Sequence, residues 1–331
     1  MKIQRTKVTD LTKLVVGPID MFICSSSYED RCYSIAGALR PQSVRASFIA
    51  QATDLIGYVK RNSASLTAHL GHGATLVPIS THDPLQTADS LINIVQATKA
   101  DGVKSVLIDT TTFTHEALLI LLRLLRTKLS KRQGAKIILA YTGAQEYSVG
   151  DAIASKWLSK GVREVRTVLG YPGKNLPSRK THLIVLVGYE HERAARLIEI
   201  LEPNSISLGF GKPSTATTDR NKDANEHFHK LVWRMAASYT NVESFEIYCN
   251  NPVRTRDAVL SIARRLGGKN VLLAPMNNKM STLGAALAAF DCEKIQICYA
   301  PVLEYNYSGY SSAGSECYLI RLPELFSGPK T

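Results

Sequence analysis

The chain has 331 residues, 45% hydrophobic and 21% charged, a globular composition with room for two domains of ordinary size. Forty Lys and Arg against 28 Asp and Glu leave a net charge of +12, spread along the chain, which suits nucleotides, nucleic acid or an acidic protein as partner. No stretch approaches the roughly 18 consecutive apolar residues of a membrane helix, and the basic N-terminus lacks a signal-like apolar core, so a cytoplasmic protein without a membrane partner is expected.

In chain order, apolar runs alternate with amphipathic stretches. Strands are predicted near 20–25, 44–50, 74–79, 104–109 and 135–141, with helices near 28–39, 54–70, 84–99 and 113–128. The pattern then recurs, with strands near 182–188, 205–210, 243–249, 269–274 and 294–299 and helices near 190–201, 219–239, 254–267 and 278–290. Such alternation predicts an α/β fold of two tandem Rossmann-like three-layer units with mostly parallel sheets. The expected division is 1–150 for the first unit, 181–331 for the second, and 151–180 as a connector able to add a strand to the first. The cysteines Cys24, Cys32, Cys249, Cys292, Cys298 and Cys317 form no CxxC pair and read as buried thiols in a reducing compartment.

The halves also match in detail. "SVLIDTTTFTHEALLILLRLL" from Ser105 pairs with "NVLLAPMNNKMSTLGAALAAF" from Asn270. Tyr28, Arg31 and Pro41 pair with Tyr189, Arg193 and Pro203; Pro84, Thr87 and Asp89 with Pro252, Thr255 and Asp257; Tyr141, Glu146 and Tyr147 with Tyr299, Glu304 and Tyr305. A weaker pair is "VREVRTVL" with "SECYLIRL". These collinear matches predict an internal duplication with pseudo-twofold symmetry.

Ligands of open parallel sheets bind beyond the carboxyl ends of strands, at helix N-termini. Ser25, Ser26, Ser27 and Tyr28 follow one predicted first strand, and Gly188 and Tyr189 the other. Their hydroxyls and glycine either meet phosphate or ribose or cap the next helix. Thr110, Thr111 and Thr112 follow the fourth strand of the first half, where Asp109 could orient Thr110 or Thr112. Asn277, Asn278, Lys279 and Ser281 hold the equivalent place in the second half. Arg31 and Arg193 either grip phosphate bidentately or pair with the neighbouring Glu29 and Glu192. Lys212 in "GFGKP" suggests an anion-binding turn, and Tyr305 could stack on a base. Asp83-Pro84 and Asn251-Pro252 read as helix caps. Neither GxGxxG nor GxxxxGK[ST] occurs, His227 and His229 face different sides of a helix, and no cofactor or metal is called for.

The two strand–turn–helix motifs, "NVLLAPMNNKMSTLGAALAAF" and its Asp-Thr counterpart "SVLIDTTTFTHEALLILLRLL", resemble those of the CRISPR-associated Rossmann fold (CARF) domains. The tandem arrangement resembles the SAVED domains. The resemblance implies a sensor or regulatory subunit in prokaryotic antiviral defence, binding a cyclic or linear oligonucleotide second messenger and passing its output to an effector protein. By position it implies ligand contacts at Ser25–Ser27, Thr110–Thr112 and His115 in one half, and at Gly188, Tyr189, Asn277–Lys279 and Ser281 in the other. The double-glycine turn usual in the family is absent from both motifs. Two other readings stand beside a non-catalytic nucleotide binder. One is a nucleotide hydrolase (phosphodiesterase or nucleosidase) using Glu146, Glu304, His115 or Asp109 as acid or base. The other is a nucleic-acid-binding subunit of a defence complex.

Overall fold

A computed structural model describes residues 3–98, 102–129, 136–239 and 241–322. The chain forms two units, one of Met1–Gln145 with Ser311–Thr331, the other of Glu146–Tyr310. The first contains β1 (Gln4–Lys7), α1 (Leu11–Leu14), β2 (Ile19–Ser25), α2 (Ser34–Ala38), β3 (Val44–Ala52), α3 (Ile56–Leu70), β4 (Ala74–Ile79), α4 (Pro84–Ala97), β5 (Ser105–Asp109), α5 (His115–Leu129) and β6 (Lys136–Tyr147). The second contains β7 (Ser159–Lys160), β8 (Arg166–Pro172), β9 (Thr181–Leu186), α6 (His191–Leu201), β10 (Ser205–Gly211), α7 (Asp219–Ala236), β11 (Val242–Ile247), α8 (Pro252–Arg265), β12 (Asn270–Pro275), α9 (Lys279–Asp291), β13 (Ile295–Tyr299) and β14 (Glu304–Tyr305). The chain then returns to the first unit as β15 (Ser311–Arg321).

The fold is α/β with mostly parallel sheets. The first sheet runs β1-β15-β6-β5-β2-β3-β4 and the second β11-β10-β9-β12-β13-β8. Strands β2 to β6 pair in parallel, as do β9 to β13. In both sheets the chain steps outward from its first parallel strand, then crosses back to that strand's other side, so the two share one strand order. The reversal places a switch point between β2 and β5 in one sheet and between β9 and β12 in the other, where open parallel sheets hold ligands.

The sequence dictates these strands by burial on both faces. Leu183, Ile184, Val185 and Leu186 of β9 are all fully buried, the mark of a central parallel strand with a layer on each side. Each such side chain stabilises the fold by about 1.5–3 kcal/mol. Asp83 and Asn251 cap α4 and α8, accepting from the amides of Leu85 and Gln86 and of Arg254. Thr87 and Thr255 make the same pair of bonds, accepting from the amide and donating to the carbonyl of Ser80 and Tyr248 respectively.

Two expectations are corrected. The helix expected over 28–39 is only a 3-10 turn over Asp30–Tyr33 followed by the one-turn α2. Arg40 is extended because it precedes Pro41, and Arg31 and Cys32 turn inward. The domain limits also differ. The connector strand β8 joins the second sheet, antiparallel to β13, not the first. The C-terminal β15 lies in the first sheet, between β6 and β1, not the second. Each fifth parallel strand would otherwise leave an open edge, and the segment following the other half's fifth strand fills it. The end of the helix predicted near 99 and the start of the strand predicted near 135 lie outside the described residues. Among the described residues no helix is long and apolar enough to cross a membrane.

Candidate functional site

The loops at both switch points are closed by their own hydrogen bonds. After β2 and β5, Thr112 donates its hydroxyl to the carbonyl of Ser25 at 2.7 Å, Thr110 to that of Ala140 at 3.0 Å, and Ser26 to that of Ala50 at 3.2 Å. Ser27 accepts from the amide of Glu29, and Tyr28 is half-buried. Thr111 accepts from the amide of Thr142. Asp109 receives the amide of Thr111 at 2.9 Å, not Thr110 or Thr112 as expected, because its carboxylate folds back over the next turn. Burial pushes the Asp109 carboxyl up to about 7, against the lowering effect of the Thr111 bonds and of Arg31. Its Oδ2 has no hydrogen-bond partner among the described residues. His115 and Glu116, at the head of α5, are buried.

After β9 and β12 the closure is tighter. Gly188 is required there, since a Cβ would collide with the carbonyl of Met276. Asn277 donates to the carbonyl of Val187 at 2.6 Å, and Asn278 donates to that of Cys249 at 2.7 Å. Asn278 also caps α9, accepting from the amide of Ser281, whose hydroxyl returns to the Asn278 carbonyl. Lys279 is half-buried, and the Tyr189 hydroxyl donates to Asn221 at 2.8 Å. Lys212 is committed to Glu246 at 2.7 Å. Thr110, Thr112, Asn277, Asn278 and Ser281 are capping and sealing groups in this structure, and Thr110, Thr111 and Ser281 do not reach the surface.

Arg31 and Arg193 are likewise internal. Arg31 pairs with Glu29 at 2.8 Å and donates to the carbonyl of Thr142 at 3.2 Å; Arg193 pairs with Glu190 at 2.6 Å and donates to the carbonyl of Ala300 at 2.7 Å. The acid is thus Glu190, one turn back, rather than the expected Glu192, which is exposed. A serine completes each pair, Ser311 on Glu29 and Ser159 on Glu190. Both serines lie in segments that follow a fifth parallel strand.

One concavity among the described residues of the second unit lies at the head of α6. A half-open cavity of about 280 Å³ is lined by residues 155–160 and 189–192. The 155–160 strap is anchored by Lys156, whose ammonium spends its three donors on Glu146 and on the carbonyls of Tyr147 and Ser148. Asn306 holds it from the other side through Trp157 and Leu158. Lys160 places its Nζ 4.4 Å from the centre of the Trp157 indole and makes no ion pair among the described residues. His191 stacks on Phe228, and burial lowers its pKa. Among the described residues no side chain caps α6. Behind the cavity, Tyr189 packs against Phe228 and against Tyr147, which meets Tyr310.

None of the four expected acid–base candidates lines this cavity, although Glu146 bonds Lys156 and Glu304 is the register partner of Lys160. Glu146 is held below the usual carboxylate range, first by the Lys156 hydrogen bond and further by Arg220 at 2.6 Å. Glu304 is exposed on β14, and Tyr305 packs against Tyr307 and Tyr310. Trp157 and Lys160 are absent from the sequence expectations, because they sit in the connector and belong to no motif. Their nearest sequence signal is that the connector holds one of only two tryptophans in the chain, with lysines on both sides.

No family model and no curated protein matches the sequence. Among solved structures the chain is similar to a periplasmic ribose ABC transporter from Conexibacter woesei, at 12% identity and a TM-score of 0.25, covering 85% of this chain and 72% of that one. It is also similar to the N-domain of a bacterial malonyl-CoA reductase solved with NADP, at 9% identity and a TM-score of 0.25, covering 83% and 78%. Likenesses this distant add nothing to what the sheet topology shows.

Proposed function

We propose that the protein is a non-catalytic binder of an anionic nucleotide, held in the cavity at the head of α6. The observation that carries this reading is the Lys160 ammonium poised over the Trp157 indole at the rim of that cavity. An indole offers a stacking face for a base, and the ammonium, which makes no ion pair among the described residues, offers a counter-charge for phosphate. The uncapped start of α6 adds amide donors of the same polarity. Exposed Glu192 opposes excess negative charge at the rim and favours a ligand with few phosphates.

At about 280 Å³ the cavity falls at the small end of ligand pockets, a size for one nucleotide unit. An oligonucleotide messenger, which the sequence resemblance implies, would insert one unit and leave the rest outside. The net charge of +12 supports an anionic ligand. In this reading the protein is a sensor or regulatory subunit in prokaryotic antiviral defence that signals to an effector protein. Of the carboxylates expected for hydrolysis, Asp109 is buried and Glu146 is ion-paired, while Glu304 on β14 lies across from Lys160 without a histidine or second carboxylate of the expected set beside it, so binding is favoured over turnover.

Tryptophan fluorescence tests the reading. In a Trp233→Phe background, Trp157 is the only indole left. Saturable quenching by mononucleotides or short oligonucleotides is expected, and an unchanged spectrum across the panel, with the protein folded, overturns it.

A further inference from the structure

At the opposite, amino-terminal end of the second sheet a line of polar side chains crosses three strands on one face. His182 of β9 lies beside Ser205 of β10 in register, and Ser207 of β10 lies beside Glu243 of β11. The His182 ring nitrogens are both engaged, Nδ1 with the Ser205 hydroxyl at 2.7 Å and Nε2 with the Ser207 hydroxyl at 2.8 Å. Ser207 donates to Glu243 at 2.6 Å, and Lys269, in the turn between α8 and β12, donates to Ser205 at 3.1 Å. Arg265, at the end of α8, closes the far side on Glu243 at 3.1 Å. His182, Ser205 and Ser207 are buried, so no substrate reaches them.

The donors fix the direction of every bond. Ser207 has spent its proton on Glu243, so it must accept from Nε2–H. Lys269 has only protons to give, so Ser205 accepts from it and passes its own proton to the bare Nδ1. The chain therefore runs one way, from ammonium to carboxylate, with the imidazole neutral in its middle. A proton added at Nδ1 would turn the ring into a second donor on Ser205. The Ser205 hydroxyl proton would then lack an acceptor, in a buried place already bordered by Lys269 and Arg265.

We infer that the Lys269–Ser205–His182–Ser207–Glu243 chain is an acid-release latch, which ties β9, β10 and β11 together while His182 is neutral and lets them part when it is protonated. The charges facing the ring are Lys269 and Arg265, which oppose protonation, and Glu243, which favours it. Burial is the largest influence and lowers the His182 pKa to about 4 from an ordinary 6.5. A histidine whose folded-state value is depressed binds protons more readily when unfolded. The latch therefore contributes fully above pH 6.5 and is lost as pH falls from there towards about 4.

Nitrogen NMR of the full-length, labelled protein tests the latch without any substitution. Near pH 7 we expect His182 to carry its proton on Nε2 with Nδ1 bare, and to keep that state well below pH 6.5. A proton on Nδ1, or titration at the ordinary 6.5, overturns the proposal. His182→Gln supplies a second test, because the amide can span both serines but cannot titrate. Relative to wild type, the variant should keep about tenfold or more of the folding equilibrium constant on acidification to pH 4. Parallel pH profiles for the two proteins overturn it.

Discussion

Arg193 and Glu190 form a buried ion pair one turn apart at the head of α6, with Nη1 2.6 Å from Oε2. The remaining bonds of the pair are made by the Ala300 carbonyl and by Ser159. Removing one partner leaves an uncompensated buried charge. Arg193→Ala should therefore cost about 3–5 kcal/mol, while the double change with Glu190→Ala should cost less than the two single changes added together. Denaturant unfolding of the four proteins measures the coupling. Arg31 and Glu29 should behave alike, since they hold the matching place in the first unit.

Gly188 gives a sharper steric prediction. A single added methyl meets the Met276 carbonyl, which is backbone and cannot swing away. Gly188→Ala should destabilise the second unit by about 1–3 kcal/mol by overpacking. Gly57, with open space around the position of its Cβ, is the control, and Gly57→Ala should be neutral or mildly stabilising. Thermal unfolding of the two variants reads the contrast.

Asp109 makes stability depend on pH in the opposite sense to His182. Burial raises its carboxyl to about 7 from an ordinary 3.8, so the folded protein holds the proton more tightly than the unfolded chain. The stabilising effect of that proton is complete below pH 3.8 and is lost as pH rises through about 7. Asp109→Asn keeps an oxygen for the Thr111 amide and removes the buried charge. It should raise stability by about 2 kcal/mol at alkaline pH, with the gain shrinking towards acid. Unfolding midpoints across that pH range check the sign.

The placement of β15 predicts the outcome of truncation. Ending the chain at Tyr310 strips β6 and β1 of the strand between them. The first unit should lose its protection against proteolysis, while Glu146–Tyr310 remains resistant. Division of the chain at the boundary suggested by sequence would have placed the damage in the second unit.

That contrast shows what could be read from sequence. The central strands were legible because runs such as Leu183–Leu186 are apolar at every position, and the caps because Asp83 and Asn251 precede prolines. β8 and β15 carry the weak "VREVRTVL" and "SECYLIRL" match, and no local pattern says which sheet a strand joins. The switch-point residues were found, but not their mutual hydrogen bonds, which depend on residues far away in sequence such as Ala140, Val187 and Cys249. Trp157 and Lys160 escaped because a cavity wall needs no repeat and no motif. His182 escaped because it is one polar residue in an apolar strand, and its partners are supplied by β10, β11 and the turn before β12.

Calorimetric titration of mononucleotides and short oligonucleotides into wild type and Lys160→Glu tests the binding site most directly. Wild type should bind one unit per chain, with affinity falling as salt rises, and the charge reversal should weaken binding at least about tenfold while leaving the unfolding midpoint unchanged. Equal affinity in the two proteins, or no heat from any nucleotide with folded wild type, would contradict a nucleotide site at the head of α6.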